Sequence, residues 1–212
     1  MQTAKNSDPD IALILEIKKG KKEAFAVLID KYKKPLINLL FRLVHDQTEA
    51  EDLAQATFVQ VYKSLDKFNF SSRFSTWIFT IARNLALNEL RRRSRHPADS
   101  MELEVESDEG IIIHQYEDKR SPVPCDHLIK EELFKKVEEA LSKLPENQRT
   151  AIILFQQEDM SYEEIAEVIG CSVSATKSLI HRARETLKSM LKPYLQTGQW
   201  EEDKHLKNKK EP

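Results

Sequence analysis

The run from Phe74 to Arg93, FSTWIFTIARNLALNELRRR, constrains this chain more than any other segment. Trp77, Ile78, Ile81, Ala82 and Leu85 recur at helical spacing and predict the buried stripe of one long helix. Aromatic groups stand at its entry, Asn and Arg further along, and an arginine cluster at its end. Aromatic faces stack on unpaired bases, amide side chains read base edges, and arginines hold phosphates. Such a helix suits DNA at the point where duplex passes into single strand.

The rest of the chain agrees with a helical context. Four glycines in 212 residues, few β-branched runs and 32% charged residues favour an all-α protein of one large or two small domains. A first helix is expected from Asp10 to about Lys19. From Lys22 the positions Phe25, Leu28, Ile29, Tyr32, Leu36, Leu39, Leu40 and Leu43 keep a helical period, which Pro35 is expected to kink or divide. Thr48 with Glu51 reads as a capping box opening a helix that buries Leu53, Ala54, Thr57, Phe58, Val61 and Leu65. Residues 68–73 read as a loop, and Ser75 or Thr76 as the start of the arginine-ended helix.

Eight acids and no Lys or Arg lie between Asp99 and Asp118, directly after Arg91, Arg92, Arg93 and Arg95. With Pro97, Gly110, Pro122 and Pro124, the segment reads as a linker between a domain at 10–95 and another at 127–192, the linker taking 96–126. It is either a solvated spacer or an acidic strap that keeps the basic helices off DNA. Residues 193–212 read as a polar, disordered tail.

After the linker, Leu128 to Leu144 is amphipathic through Leu133, Val137, Ala140 and Leu141, and Pro145 begins a helix containing Ile152, Ile153 and Phe155. Ser161-Tyr-Glu-Glu164 is a Ser-x-x-Glu capping box opening a short helix; Gly170 ends it, and a longer helix starts near Val173. Short helix, glycine turn and longer helix make a helix-turn-helix. In the last helix Thr176, Leu179, Ile180, Ala183 and Leu187 pack down, which turns Lys177, Ser178, His181 and Arg182 outward toward a major groove. Just ahead of the arginine-ended helix, the loop Phe68-Asn69-Phe70-Ser71-Ser72-Arg73 suits a pocket for an extruded base.

These motifs resemble a known family. Phe74-x-Thr-Trp77-Ile-x-x-Ile-Ala-Arg-Asn84 is similar to regions 2.3 and 2.4 of the bacterial extracytoplasmic-function (ECF) sigma factors, and Glu51-Asp52-Leu-Ala-Gln55-Ala-Thr-Phe58 to their region 2.2. Leu144-Pro145 and the stretch from Ser161 to Arg184 resemble region 4. The resemblance implies a non-enzymatic RNA polymerase subunit, with Asp52, Gln55 and Phe58 on core polymerase. It implies that Asn69, Phe70, Ser71, Ser72, Arg73, Phe74, Thr76 and Trp77 capture the melted −10 element, with Arg83, Asn84, Asn88 and Arg91 at its upstream edge. Lys177, Ser178, His181 and Arg182 match the −35 positions. The implied partners are core RNA polymerase, promoter DNA and an anti-sigma factor. Leu179 and Phe155 stand where basic residues are common in the family, and Lys177 offers a point charge in place of an arginine fork.

The alternative is a standalone helix-turn-helix regulator, expected to bind a palindrome as a dimer. An enzyme lacks support: there is no phosphate-binding glycine loop and no zinc spacing, and His114, Cys125 and His127 make a poor metal set. No cofactor is expected. Cys125 and Cys171 do not demand a disulfide, no signal-peptide pattern opens the chain, and no apolar run reaches the ~18 residues of a membrane span, so a cytoplasmic location is expected.

Overall fold

The computed structural model describes residues 8–95, 124–157 and 160–197. The body of the acidic linker and the tail beyond Thr197 lie outside these residues, as do His114 and the side chains of Cys125 and His127. The first block holds α1 (Ile11–Lys18), α2 (Glu23–Val44), α3 (Gln47–Ser64), a 3-10 turn (Leu65–Lys67) and α4 (Phe74–Arg95). The remainder holds α5 (Pro124–Ser142), α6 (Glu146–Phe155), α7 (Tyr162–Ile169) and α8 (Val173–Thr197). The fold is all-α, with no strand among the described residues.

Pro35 neither divides nor ends its helix: α2 runs unbroken for 22 residues around it. A proline inside a helix costs about 3 kcal/mol. Leu36, Leu39, Leu40 and Leu43 follow it and are all 0–1% exposed. Each buried leucine contributes roughly 1.5–3 kcal/mol, so tertiary burial outweighs the local defect.

The cap of α3 also differs from the expected one. His45 closes α2 in the left-handed region (φ 58°), and Asp46 follows in extended conformation, its carboxylate accepting from Glu49 N at 2.7 Å. Thr48 is therefore already inside the helix. The connection is too short for a later start.

Helix α4 begins at Phe74, ahead of both residues expected to open it. The Phe74 amide donates to Asp8 Oδ2 at 2.8 Å, across 66 positions of sequence, satisfying one of the donors a helix start leaves open. Asp10 next to it is buried and takes Lys31 Nζ at 2.6 Å together with the Tyr32 hydroxyl. Burial, followed by that hydrogen bond, pushes the Tyr32 hydroxyl far above its ordinary pKa.

Helix α7 carries the expected box: Glu164 N donates to Ser161 Oγ (3.2 Å) and Ser161 N to Glu164 Oε2 (2.7 Å). Gly170 ends it at φ 79°, where only a residue tolerant of the left-handed region fits without strain. Helix α8 continues through Pro193 to Thr197, with Tyr194 buried, so residues 193–197 are helical, not part of a disordered tail.

In the N-terminal module α2, α3 and α4 pack mutually, with α1 against α2. In the C-terminal module α6, α7 and α8 pack mutually, with α5 along α8. The modules are not separate: α4 lies against α7, and α2 against α5 and α6. Leu144, Ile152, Leu154 and Ile165 join Leu28, Leu40, Phe74 and Ile78 in one buried cluster.

Candidate nucleic-acid interface

The helix-turn-helix is built as the residues dictate. Thr176, Ile180 and Ala183 are buried and Leu179 and Leu187 partly so, which leaves Lys177, Ser178, His181 and Arg182 exposed on one side of α8. Ser172 Oγ accepts from Ala175 N at 3.2 Å and fixes the start of that helix. Three departures from the family pattern find a use in packing. Phe155 offers its ring face to the Arg184 guanidinium at 4.5 Å, and Lys177 Nζ lies 5.4 Å from the Tyr162 ring. Leu179, partly buried, packs against the core cluster.

The N-terminal surface is assembled differently. Phe68 is buried and is the centre of an aromatic group, with Phe70 at 5.0 Å, Trp77 at 4.9 Å and Phe74 at 6.0 Å between ring centroids. Phe70 adopts φ 58°, and Asn69 Oδ1 accepts from Ser71 N (3.1 Å), which turns the loop back on itself. Lys18 Nζ donates to Phe68 O (3.0 Å) and lies over the Phe70 ring at 5.1 Å, tying the loop to α1. Asn69 and Ser71 are exposed; Phe70, Ser72, Arg73 and Trp77 are half-buried. Phe74 and Thr76 are fully buried, with Phe74 also 5.4 Å from the Tyr32 ring.

Further along α4, Asn84, Asn88 and Arg91 are exposed. Asn88, Arg91, Arg92 and Arg95 line a pocket of about 320 Å³, a cationic recess at the helix end. Glu89 is held below the usual carboxylate range by its hydrogen bond to Arg92, and Arg93 pairs with Glu49 of α3. Arg83, by contrast, is 8% exposed. Its guanidinium is held by α6 of the other module, with Glu146 Oε1 and Asn147 Oδ1 each at 2.7 Å.

On α3, Asp52 and Gln55 are exposed, whereas Phe58 is buried with its ring edge-on to Phe25 at 6.5 Å. Val59 and Tyr62, 52% and 48% exposed, are the apolar groups this helix presents outward. Sequence reasoning passed over them, although their absence from the buried period was a usable signal.

Residues 28–96 match Sigma-70 region 2, and residues 134–187 match Sigma-70 region 4. The RNA polymerase sigma-H factor of Pseudomonas aeruginosa is 37% identical over 191 residues, covering 89% of this chain and 96% of the relative. The ECF RNA polymerase sigma factor SigW of Bacillus subtilis is 34% identical over 179 residues, 84% of this chain and 95% of that one. Among solved structures, CnrH in complex with the cytosolic domain of CnrY superposes with a TM-score of 0.63 at 26% identity, covering 88% of this chain and 99% of CnrH. The sigma factor RpoE of Bartonella quintana, in complex with the anti-sigma factor NepR, gives 0.60 at 30% identity, covering 82% and 98%. The chain belongs to the ECF RNA polymerase sigma factors.

Proposed function

We infer that this protein is an alternative sigma factor, a non-enzymatic subunit that binds core RNA polymerase and directs initiation at promoters read in two places. One observation carries the reading: a chain with an outward polar face on a helix-turn-helix also holds a loop and helix of aromatics, amides and arginines suited to unpaired DNA. A standalone regulator has no use for the second surface.

The residue roles rest on the family resemblance, read together with exposure and chemistry. Lys177, Ser178, His181 and Arg182 engage −35 duplex, with Lys177 on phosphate. Asn69, Phe70, Ser71, Ser72, Arg73 and Trp77 form the receptor for an extruded −10 base, and Asn84, Asn88 and Arg91 hold the strand upstream. Phe74 and Thr76, being buried, act by supporting that receptor from beneath. Asp52 and Gln55 contact core polymerase with Val59 and Tyr62 beside them, and Phe58 shapes that face from within. Because CnrH and RpoE were solved with CnrY and NepR, an anti-sigma factor is the expected regulator. No helix among the described residues is long and apolar enough to cross a membrane, and a cytoplasmic location fits the role.

Run-off transcription with purified core polymerase and a genomic promoter library tests the reading. Specific transcripts sharing two upstream elements are expected. Association with core that never programmes initiation would overturn it.

A further inference from the structure

The loop 68–73, assigned above to the extruded −10 base, is tied at both ends to one short element outside it. At its start, Lys18 Nζ of α1 donates to Phe68 O at 3.0 Å and to Asp66 O at 3.5 Å. The same ammonium lies over the Phe70 ring at 5.1 Å. At the far end of the loop, Asp8 Oδ2 accepts from the Phe74 amide at 2.8 Å, and Asp8 Oδ1 accepts from Asp10 N at 3.0 Å. The element that supplies both residues is itself anchored. Ile14 is buried in the core, and the buried Asp10 takes Lys31 Nζ at 2.6 Å together with the Tyr32 hydroxyl of α2.

The loop needs such support because its backbone is strained. Phe70 stands at φ 58°, a left-handed conformation that a bulky side chain keeps only where its surroundings fix it. Its ring meets Phe68 edge-on at 5.0 Å and the Lys18 ammonium on its face. We propose that Lys18 and Asp8 are positioning residues of the −10 base receptor: they hold the two ends of its loop, so that Phe70 and Trp77 are set before the base arrives. This rests on the −10 reading of the loop. Neither residue has to touch DNA. A receptor ordered in advance is spared the entropy of ordering on capture, which would otherwise offset the stacking of the base. Loss of either residue therefore weakens capture of the base and leaves the surfaces for core polymerase and duplex as they are.

The test uses holoenzyme and a labelled promoter, recovered by the run-off experiment and opened in advance at −10, with binding read by anisotropy. Two forms of this template are compared: intact, and abasic at the position where loss of the base costs the wild type most. Lys18→Met keeps the stem of the side chain and removes its cation and donors. It is expected to lower affinity about tenfold on the intact template and less than about twofold on the abasic one, because only the first has a base to hold. Asp8→Ala is expected to act in the same way, and Asp8→Asn, which keeps an oxygen for the Phe74 amide, to recover the loss. Lys19→Met makes the same charge change one position on and is expected to alter neither template. A general weakening of the fold would lower both templates alike, and that outcome overturns the proposal. So does a Lys18→Met holoenzyme that binds the intact template as wild type does, or a loss that Lys19→Met reproduces. Failure of the −10 reading is separately visible, because Phe70→Ala would then leave binding to the intact template unchanged. A loss with Phe70→Ala and none with Lys18→Met removes the positioning role alone.

Discussion

The helix-turn-helix and the α4 surface, both assigned to DNA in the proposed function, are assembled by opposite routes. On α8 the four residues proposed for duplex contact are exposed on one helix whose opposite side packs through Thr176, Ile180 and Ala183, so that surface is complete as folded. On α4 the reader needs a loop turned by Asn69, an aromatic group centred on Phe68, a helix start held by Asp8, and an arginine that the other module holds. A reader confined to one helix is available whenever the protein is folded. A reader assembled from several elements can be withheld by packing.

The largest expected effect falls on the assembled surface. Trp77→Ala removes a half-buried ring 4.9 Å from Phe68. Stacking on a base is worth roughly 1–3 kcal/mol, so initiation by the holoenzyme from duplex promoter should fall about tenfold to a hundredfold. Affinity for core polymerase, measured by competition binding, should be unchanged. An equal loss of core binding would break the comparison, since Trp77 would then be structural only.

On the single-helix surface the effect should be smaller and separable. Lys177→Ala with Arg182→Ala should lower duplex-promoter initiation about tenfold and reduce the salt slope of holoenzyme binding by about 2, if each residue neutralises one phosphate. Initiation from a template already open at −10 should be preserved. If that template suffers equally, the two surfaces do not divide the work as described.

These two surfaces also differ in how much of them a sequence can express. The outward set on α8 follows from the period of Thr176, Ile180 and Ala183 together with a cap and a glycine turn, all within a local window. The burial of Phe74, Thr76 and Arg83 does not, because what covers them comes from elsewhere: Tyr32 in α2, Glu146 and Asn147 in α6, Asp8 before α1. Pro35 teaches the same point for the fold. Its local signal says break, and four buried leucines one and two turns on overrule it. The cap of α3 was missed for a nearer reason: His45 in the left-handed region ends one helix and places Asp46 at once to begin the next.

A third prediction concerns stability. Ser161→Ala removes the α7 cap, and the loss of such a cap costs about 1 kcal/mol. For a chain of this size that is a fall in melting temperature of about 2–4 °C, readable by far-UV circular dichroism. Because the two modules share one core, a single transition should shift. Two transitions, with only one of them moving, would show the modules to be thermally independent.

The smallest effect is a pH dependence of the packing between the two modules, and its sign follows from His45. His45 keeps an exposed edge, yet desolvation by the atoms packed around its ring first, and the neighbouring Arg149 cation second, hold this imidazole below its ordinary pKa of 6.5. Above that value His45 is neutral whether the modules are together or apart, and its contact with Arg149 at 2.7 Å contributes fully to closure. As pH falls through 6.5 the separated state takes up the proton first, and the closed state loses ground until the pH passes below the lowered pKa. Arg149 itself feels burial and the nearby Glu146 but stays charged throughout, so His45 is the group that titrates. Scattering dimensions of the free chain should therefore grow between about pH 8 and about pH 5.5. His45→Asn keeps a neutral side chain and tolerates the left-handed backbone at φ 58°. It should flatten that profile while leaving the dimensions at the upper pH unchanged; a profile that persists in this variant would assign the titration to another group and remove His45 from the contact between the modules.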